Sequence, residues 1–77
     1  GLSRSRFSHL FTEYIGMSPY KYQLSLRLDK SKELLLQTSL SVSEVSGSVG
    51  FSDPLYFSRL FKKYFGVSPI TFRNKNK

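Results

Sequence analysis

The chain has 77 residues, enough for one small domain, and it has no cysteine, which excludes disulfides or thiolate-bound metal as reinforcement for a small core. Twelve Lys and Arg against five acids give a formal net charge of +7, and a single histidine among scattered acids leaves no catalytic constellation and no metal site. No apolar run approaches the length of a membrane span, so neither an enzyme nor a membrane-spanning protein is expected, and no cofactor is implied.

Residues 4–15 form the first predicted helix. Phe7, Leu10, Phe11, Tyr14 and Ile15 recur at helical spacing, Ser3 stands at the capping position, and Gly16 ends the run. The opposite side holds Ser5, His9 and Thr12, with Arg6 on the flank and Arg4 in the first turn. A longer helix is predicted over 18–37, where Ser18 caps and Pro19 starts. Leu24, Leu28, Ser31 and Leu35 then repeat along one stripe that Leu34 broadens. Its length is roughly 27 Å for eighteen residues.

A polar, turn-like stretch at 37–41 leads to Ser41 and Glu44, whose spacing is that of a capping box. It opens a short helix presenting Val42, Val45 and Val49 and ending near Gly50, a turn residue suited to positive φ. Residues 54–65 are predicted as a helix of twelve residues with a buried stripe of Phe57, Leu60, Phe61, Tyr64 and Phe65. Ser52 or Asp53 caps it, Pro54 takes the first position, where an N–H would be orphaned anyway, and Gly66 ends it. Its outer side carries Leu55, Arg59 and Lys62, with Tyr56 and Lys63 on one flank. A new start follows at Ser68 and Pro69, and residues 74–77 are expected to fray.

Two of these helices are copies. A shift of fifty positions pairs Phe7 with Phe57, Leu10 with Leu60, Phe11 with Phe61 and Tyr14 with Tyr64, and pairs Gly16, Ser18 and Pro19 with Gly66, Ser68 and Pro69. Two copies of one helix with the same stripe and stops argue for two copies of one supersecondary unit. In the second copy a short helix, a glycine turn and a basic helix follow one another, which is helix-turn-helix grammar with the second helix as reader. An αα-hairpin in any helical bundle is the plainer alternative.

Charge separates these readings. Residues 59–77 carry six bases and no acid, and residues 1–12 carry Arg4, Arg6 and His9, again without an acid. Such clustering is the electrostatic footprint of a polyanion binder, against the alternative of a solvated basic surface. A face that is basic and also exposes leucine and tyrosine suits DNA, which offers phosphates, guanine acceptors and thymine methyls together. The rival reading is a basic amphipathic helical module that binds anionic membrane surfaces or protein partners.

The stretch GFSDPLYFSRLFKKYFGVSP followed by FR resembles the signature of the AraC/XylS family of bacterial transcription regulators. RLDKSKELLLQT resembles that family's connecting helix, and GLSRSRFSHLF its first recognition helix. The resemblance implies an all-α fold of two helix-turn-helix units joined by a long linker helix, each unit placing its second helix in the major groove of double-stranded DNA. It divides the chain into a partial first unit at 1–17, a linker helix at 18–38 and a second unit at 39–77. Gly1 aligns with the turn glycine Gly50, so the first unit is expected to lack its first helix. The family also implies RNA polymerase and a separate sensing or dimerisation domain as partners, no membrane, and a cytoplasmic location. Ser31 and Ser46 stand where the family typically has alanine, Gly47 weakens the short helix further, and Pro54 replaces a frequent polar contact residue.

With Pro54 unable to read, the base-reading set falls on Leu55, Tyr56 and Arg59 in the second unit, and on Ser5, Arg6 and His9 in the first. Arg59 leads, because a bidentate arginine–guanine pair discriminates by ~1–3 kcal/mol; a phosphate contact or a surface ion pair is its alternative. Tyr56 and Leu55 suit thymine methyls or sugars. Arg4, Lys62, Lys63 and Arg73 are the phosphate candidates, contributing salt-sensitive affinity without sequence information. A rigid connecting helix of about 27–30 Å is expected to hold the two readers on one face of B-DNA, about one turn (~34 Å) apart, over two adjacent major-groove segments.

Overall fold

Four helix starts among the described residues are set by caps that the local sequence encodes. The computed structural model describes residues 4–76, with side chains from His9 onward; residues 1–3 and 77, and the side chains of residues 4–8, lie outside the described set. The helices are α1 (Arg4–Ile15), α2 (Pro19–Gln37), α3 (Val42–Ser48), α4 (Pro54–Phe65) and α5 (Pro69–Lys75). There is no strand among the described residues.

Ser18 Oγ accepts the Lys21 N–H at 3.2 Å and Ser68 Oγ accepts the Thr71 N–H at 3.2 Å, each with proline as the first helical residue. Asp53, not Ser52, caps α4, its Oδ1 accepting the Leu55 N–H at 3.0 Å. The Ser41–Glu44 capping box is complete: the Glu44 N–H donates to Ser41 Oγ at 3.1 Å, and the Ser41 N–H donates to Glu44 Oε1 at 3.0 Å. The Ser41 backbone bond, and then its hydroxyl, hold the Glu44 carboxyl below the usual carboxylate range. This cap is therefore intact at neutral pH and is lost as pH falls through that lowered value. Ser3 lies outside the described residues.

α3 ends in a Schellman closure. The Phe51 N–H donates to Ser46 O at 3.0 Å and the Gly50 N–H to Gly47 O at 3.2 Å, with Gly50 at φ +95°. A side chain at Gly50 would be strained in that conformation, so glycine makes the tight α3–α4 turn possible. Gly66 ends α4 in the same left-handed way, at φ +82°.

Leu24, Leu28, Ser31 and Leu35 of α2, Val45 and Ser46 of α3, Val49 and Phe51 around the turn, and Phe57 and Phe61 of α4 are all buried. Rings form a ladder through this core: Phe51–Phe57 at 5.3 Å, Phe57–Phe61 at 5.8 Å, then Phe61 to Phe65 at 4.7 Å and to Phe72 at 5.6 Å. Lys32 closes the far end, its Nζ 4.3 Å from the Phe65 ring centroid. α1 docks outside this core, with Phe11 edge-on to Tyr22 at 5.4 Å.

Two expectations need correction. Tyr64, expected in the buried stripe, is 42% exposed. The ring ladder turns at Phe61 toward Phe65 and Phe72, which leaves Tyr64 at the rim. Residues 74 and 75 are helical rather than a tail, since α5 runs to Lys75 and Asn76 Nδ2 donates back to Phe72 O at 2.8 Å. In α1 the same stripe stays open: Tyr14 is 83% and Ile15 48% exposed.

The two serines at alanine-like positions differ. Ser31 Oγ donates to Leu28 O at 2.6 Å, whereas the buried Ser46 Oγ has no hydrogen-bond partner. An unsatisfied buried hydroxyl costs ~1–3 kcal/mol, so Ser46→Ala should raise stability by about 1 kcal/mol or more. Gly47→Ala should add about 1 kcal/mol, since a Cβ there meets nothing within 4 Å and the backbone is ordinary helix. Urea unfolding followed by circular dichroism measures both; a loss of stability in Ser46→Ala would show that its hydroxyl is satisfied after all.

Candidate nucleic-acid interface

Packing decides which way α4 faces. Phe57 and Phe61 are fully buried, so the opposite side of the helix is fixed outward, and Leu55 (71% exposed), Tyr56 (46%), Arg59, Lys62 and Lys63 project from it. Among the described residues the ion pair is Lys30–Glu33, at 3.2 Å. Arg59, Lys62 and Lys63 have no acidic partner there, which removes the surface ion pair as the alternative for Arg59. Lys62 and Lys63 also sit in the last turn of α4, where cations complement the helix dipole by ~0.3–1 kcal/mol. That contribution needs no specific geometry, and their ammonium groups stay exposed.

Tyr56 is the most constrained member of this face. Its ring packs on Phe51 at 6.2 Å between centroids. The neighbouring Tyr20 phenol of α2 raises Tyr56 above the ordinary phenol value. Tyr56 is therefore protonated, and neutral, throughout the physiological range. Tyr20 lay outside the expected set, as did Arg27, whose Cζ and Nε lie 3.6 Å from where a Gly50 Cβ would stand. The helical spacing of Tyr20, Leu24, Arg27 and Ser31 carried a signal for this, since it places Tyr20 and Arg27 along the edge of the buried stripe.

Arg73 stands elsewhere. Its Nε donates to Leu35 O at 3.0 Å and a terminal nitrogen to Thr38 O at 3.4 Å, so the guanidinium closes the carbonyl end of α2. The cationic group complements that helix end and ties α5 to it.

In the first copy, His9 is exposed on α1, the counterpart of Arg59 under the fifty-residue shift. Arg4, Ser5 and Arg6 have their backbone in α1, while their side chains lie outside the described residues. The molecule extends over 45 × 21 × 20 Å, and α2, with 19 residues, spans roughly 28 Å of its length. No group of three or more His, Cys, Asp or Glu among the described residues is placed to hold a metal ion. None of their helices is long and apolar enough to cross a membrane.

Comparison with known proteins matches residues 1–75 to a helix-turn-helix domain family. The arabinose operon regulatory protein of Escherichia coli (strain K12) is 46% identical over 72 residues, which cover 94% of this chain and 25% of that protein. The Msm operon regulatory protein of Streptococcus mutans is 46% identical over 74 residues, 96% of this chain and 27% of that protein. The chain thus spans about a quarter of the length of these curated relatives. A solved transcriptional regulator from Chromobacterium violaceum, of the AraC-type DNA-binding class, superposes with a TM-score of 0.91 at 37% identity, over 99% of this chain and 68% of that one. The DNA-binding domain of AdpA, solved in complex with a target DNA, superposes with a TM-score of 0.91 at 30% identity, over 96% of this chain and 67% of that one.

The two roles open to Arg73 predict different losses. Arg73→Ala should lower stability by ~1–3 kcal/mol, the range for hydrogen bonds from a charged donor. It should leave the salt dependence of any DNA binding unchanged, as read by urea unfolding beside a salt-series titration. A lower salt slope with unchanged stability would return Arg73 to the phosphate contacts.

Proposed function

We propose that this chain, which belongs to the AraC/XylS family of helix-turn-helix transcription regulators, binds double-stranded DNA in a sequence-specific manner and so regulates bacterial transcription. The observation that carries the reading is the outward face of α4: three exposed cations without acidic partners among the described residues, beside an exposed leucine and tyrosine, on a helix whose other side buries Phe57 and Phe61. The likeness to AdpA, which was solved with a target DNA, supports the same reading.

Under this reading Arg59 reaches a guanine edge, with Tyr56 and Leu55 packed on thymine methyls or sugars. Lys62 and Lys63 hold phosphates, and Arg73 serves the carbonyl end of α2 instead. In the first unit Ser5, Arg6 and His9 read and Arg4 holds a phosphate. α2 spaces the two readers over adjacent major-groove segments, about one turn (~34 Å) of B-DNA apart. The module acts in the cytoplasm, with no catalytic step. RNA polymerase and a sensing or dimerisation domain are its proposed partners, the latter in line with the greater length of the relatives.

The rival membrane reading would require the apolar stripes to face lipid, but in α4 Phe57 and Phe61 are spent on the core. The two are separated by fluorescence anisotropy of a labelled duplex of about 25 base pairs, just over two helical turns, titrated across a salt series beside anionic vesicles. Lys62→Ala should weaken binding to all duplexes alike and reduce the log–log salt slope by about 0.9. Arg59→Ala should narrow the preference for a selected duplex over a random one by about tenfold. A folded chain that binds vesicles but no duplex at low salt would overturn the proposal.

A further inference from the structure

One cation of the connecting helix approaches the second unit and has no part in the α4 face. Arg27 comes one turn after the buried Leu24 and directly before the buried Leu28, and is itself half-buried. Its side chain lies along the α3–α4 turn. Cζ and Nε are 3.6 Å, and Cδ 3.9 Å, from where a Gly50 Cβ would stand. The flat guanidinium thus rests on the turn at van der Waals distance.

Arg73, the other half-buried arginine among the described residues, shows what such a group does when the protein satisfies it: it donates to Leu35 O and Thr38 O. Arg27 has no hydrogen bond and no ion pair among the described residues. Asp53, beyond the turn, directs its Oδ1 to the Leu55 N–H instead, at 3.0 Å. A guanidinium is permanently charged and carries its N–H donors in a planar fork that matches a carboxylate or a phosphate. Here that fork is left without an acceptor.

Its place is at the start of the reader helix. Gly50 lies just ahead of α4, and the adjoining Phe51 packs on Tyr56 at 6.2 Å. Arg27 therefore stands at the N-terminal end of α4, whereas Lys62 and Lys63 occupy its last turn. From Pro54 to Lys62 the helix rises roughly 12 Å, about the width of the major groove. Cations at both ends of a helix in that groove face the phosphates that wall it on either side.

We propose that Arg27 is a DNA phosphate contact supplied by the connecting helix: its guanidinium, laid over the Gly50 turn, grips a backbone phosphate at the N-terminal end of α4, across the groove from Lys62 and Lys63. Such a contact carries no sequence information, but it ties α2 to the same duplex and so fixes the angle at which α4 enters. This role rests on the reading of the α4 face given above. A pure packing role, with the aliphatic stem covering the turn, predicts otherwise, because methionine supplies a similar stem without the charge.

The test titrates a labelled duplex of about 25 base pairs with the full 77-residue chain and with Arg27→Met, Arg27→Lys, Lys62→Ala and Arg59→Ala, across a salt series. Arg27→Met should weaken binding to all duplexes alike and reduce the log–log salt slope by about 0.9. A rise in salt of about fourfold should then lower its affinity about 3.5-fold less than it lowers that of the wild type. Arg27→Lys, which keeps the charge, should keep the slope, and Arg27→Met should be at least as stable in urea as the wild type. Replacing single phosphates in turn by neutral methylphosphonate locates the contact: one position should weaken the wild type and leave Arg27→Met unaffected.

If Arg27→Met keeps the wild-type slope while Lys62→Ala lowers it, the Arg27 contact is wrong and the reading of α4 stands. The same slope with lower urea stability would make Arg27 a packing residue. A methylphosphonate scan with the same profile for both chains would also overturn the contact. If Lys62→Ala and Arg59→Ala change nothing either, or a folded chain binds no duplex at low salt, the reading itself fails and takes the Arg27 contact with it.

Discussion

Everything functional in this chain depends on the burial of two phenylalanines. Phe57 and Phe61 are fully buried, one turn apart on α4, at the centre of a ring ladder that begins at Phe51 and ends at Phe65 and Phe72. Their burial fixes the rotation of α4 about its own axis and thereby decides which residues face outward. Truncating a buried phenylalanine to alanine costs ~3–5 kcal/mol, a large share of the ~5–15 kcal/mol that holds a typical domain together. Electrostatics has no comparable influence on the fold: an exposed pair such as Lys30–Glu33 is worth ~0–1 kcal/mol. The outward cations of α4 are thus free of structural duty beyond a modest dipole contribution.

The same separation explains what was legible in the sequence. Helix starts were legible because each is encoded within four residues: Ser18–Pro19, Ser41 with Glu44, Asp53–Pro54 and Ser68–Pro69 all cap as their chemistry requires. The buried stripe of α2 was legible because Leu24, Leu28, Ser31 and Leu35 recur at helical period, and all four are buried. The outward residues of α4 followed from the same periodicity. What periodicity could not supply is how two helices meet. Tyr64 and Phe57 share a stripe, yet only Phe57 lies under the ring ladder. Arg73 looked like one more base in a basic segment, and its partners, Leu35 O and Thr38 O, lie more than thirty residues away. The approach of Arg27 to Gly50 is of the same kind, set by where α2 passes the α3–α4 turn.

α2 is therefore more than a spacer. Its buried stripe supplies one wall of the core, its C-terminal carbonyls are closed by Arg73, its first turns touch α1 through Tyr22, and Arg27 lies against the α3–α4 turn at Gly50. A rigid helix of roughly 28 Å with a reader docked near its start is a means of holding two contact surfaces in fixed relation, which is what reading adjacent grooves demands. The orphaned Ser46 hydroxyl and the helical Gly47 make α3 the weakest supporting element. Nothing in the outward face of α4 explains that weakness.

The central claim, that the outward face of α4 meets DNA, is tested most directly by mapping amide and side-chain NMR shifts of the chain as a duplex is added at low salt. The account predicts that Leu55, Tyr56, Arg59, Lys62 and Lys63 shift together, with His9 on α1, while the far side of α2 around Leu26 and Leu36 stays silent. Shifts concentrated on Leu26, Glu33 and Leu36, with Arg59 and Tyr56 unmoved, would contradict it.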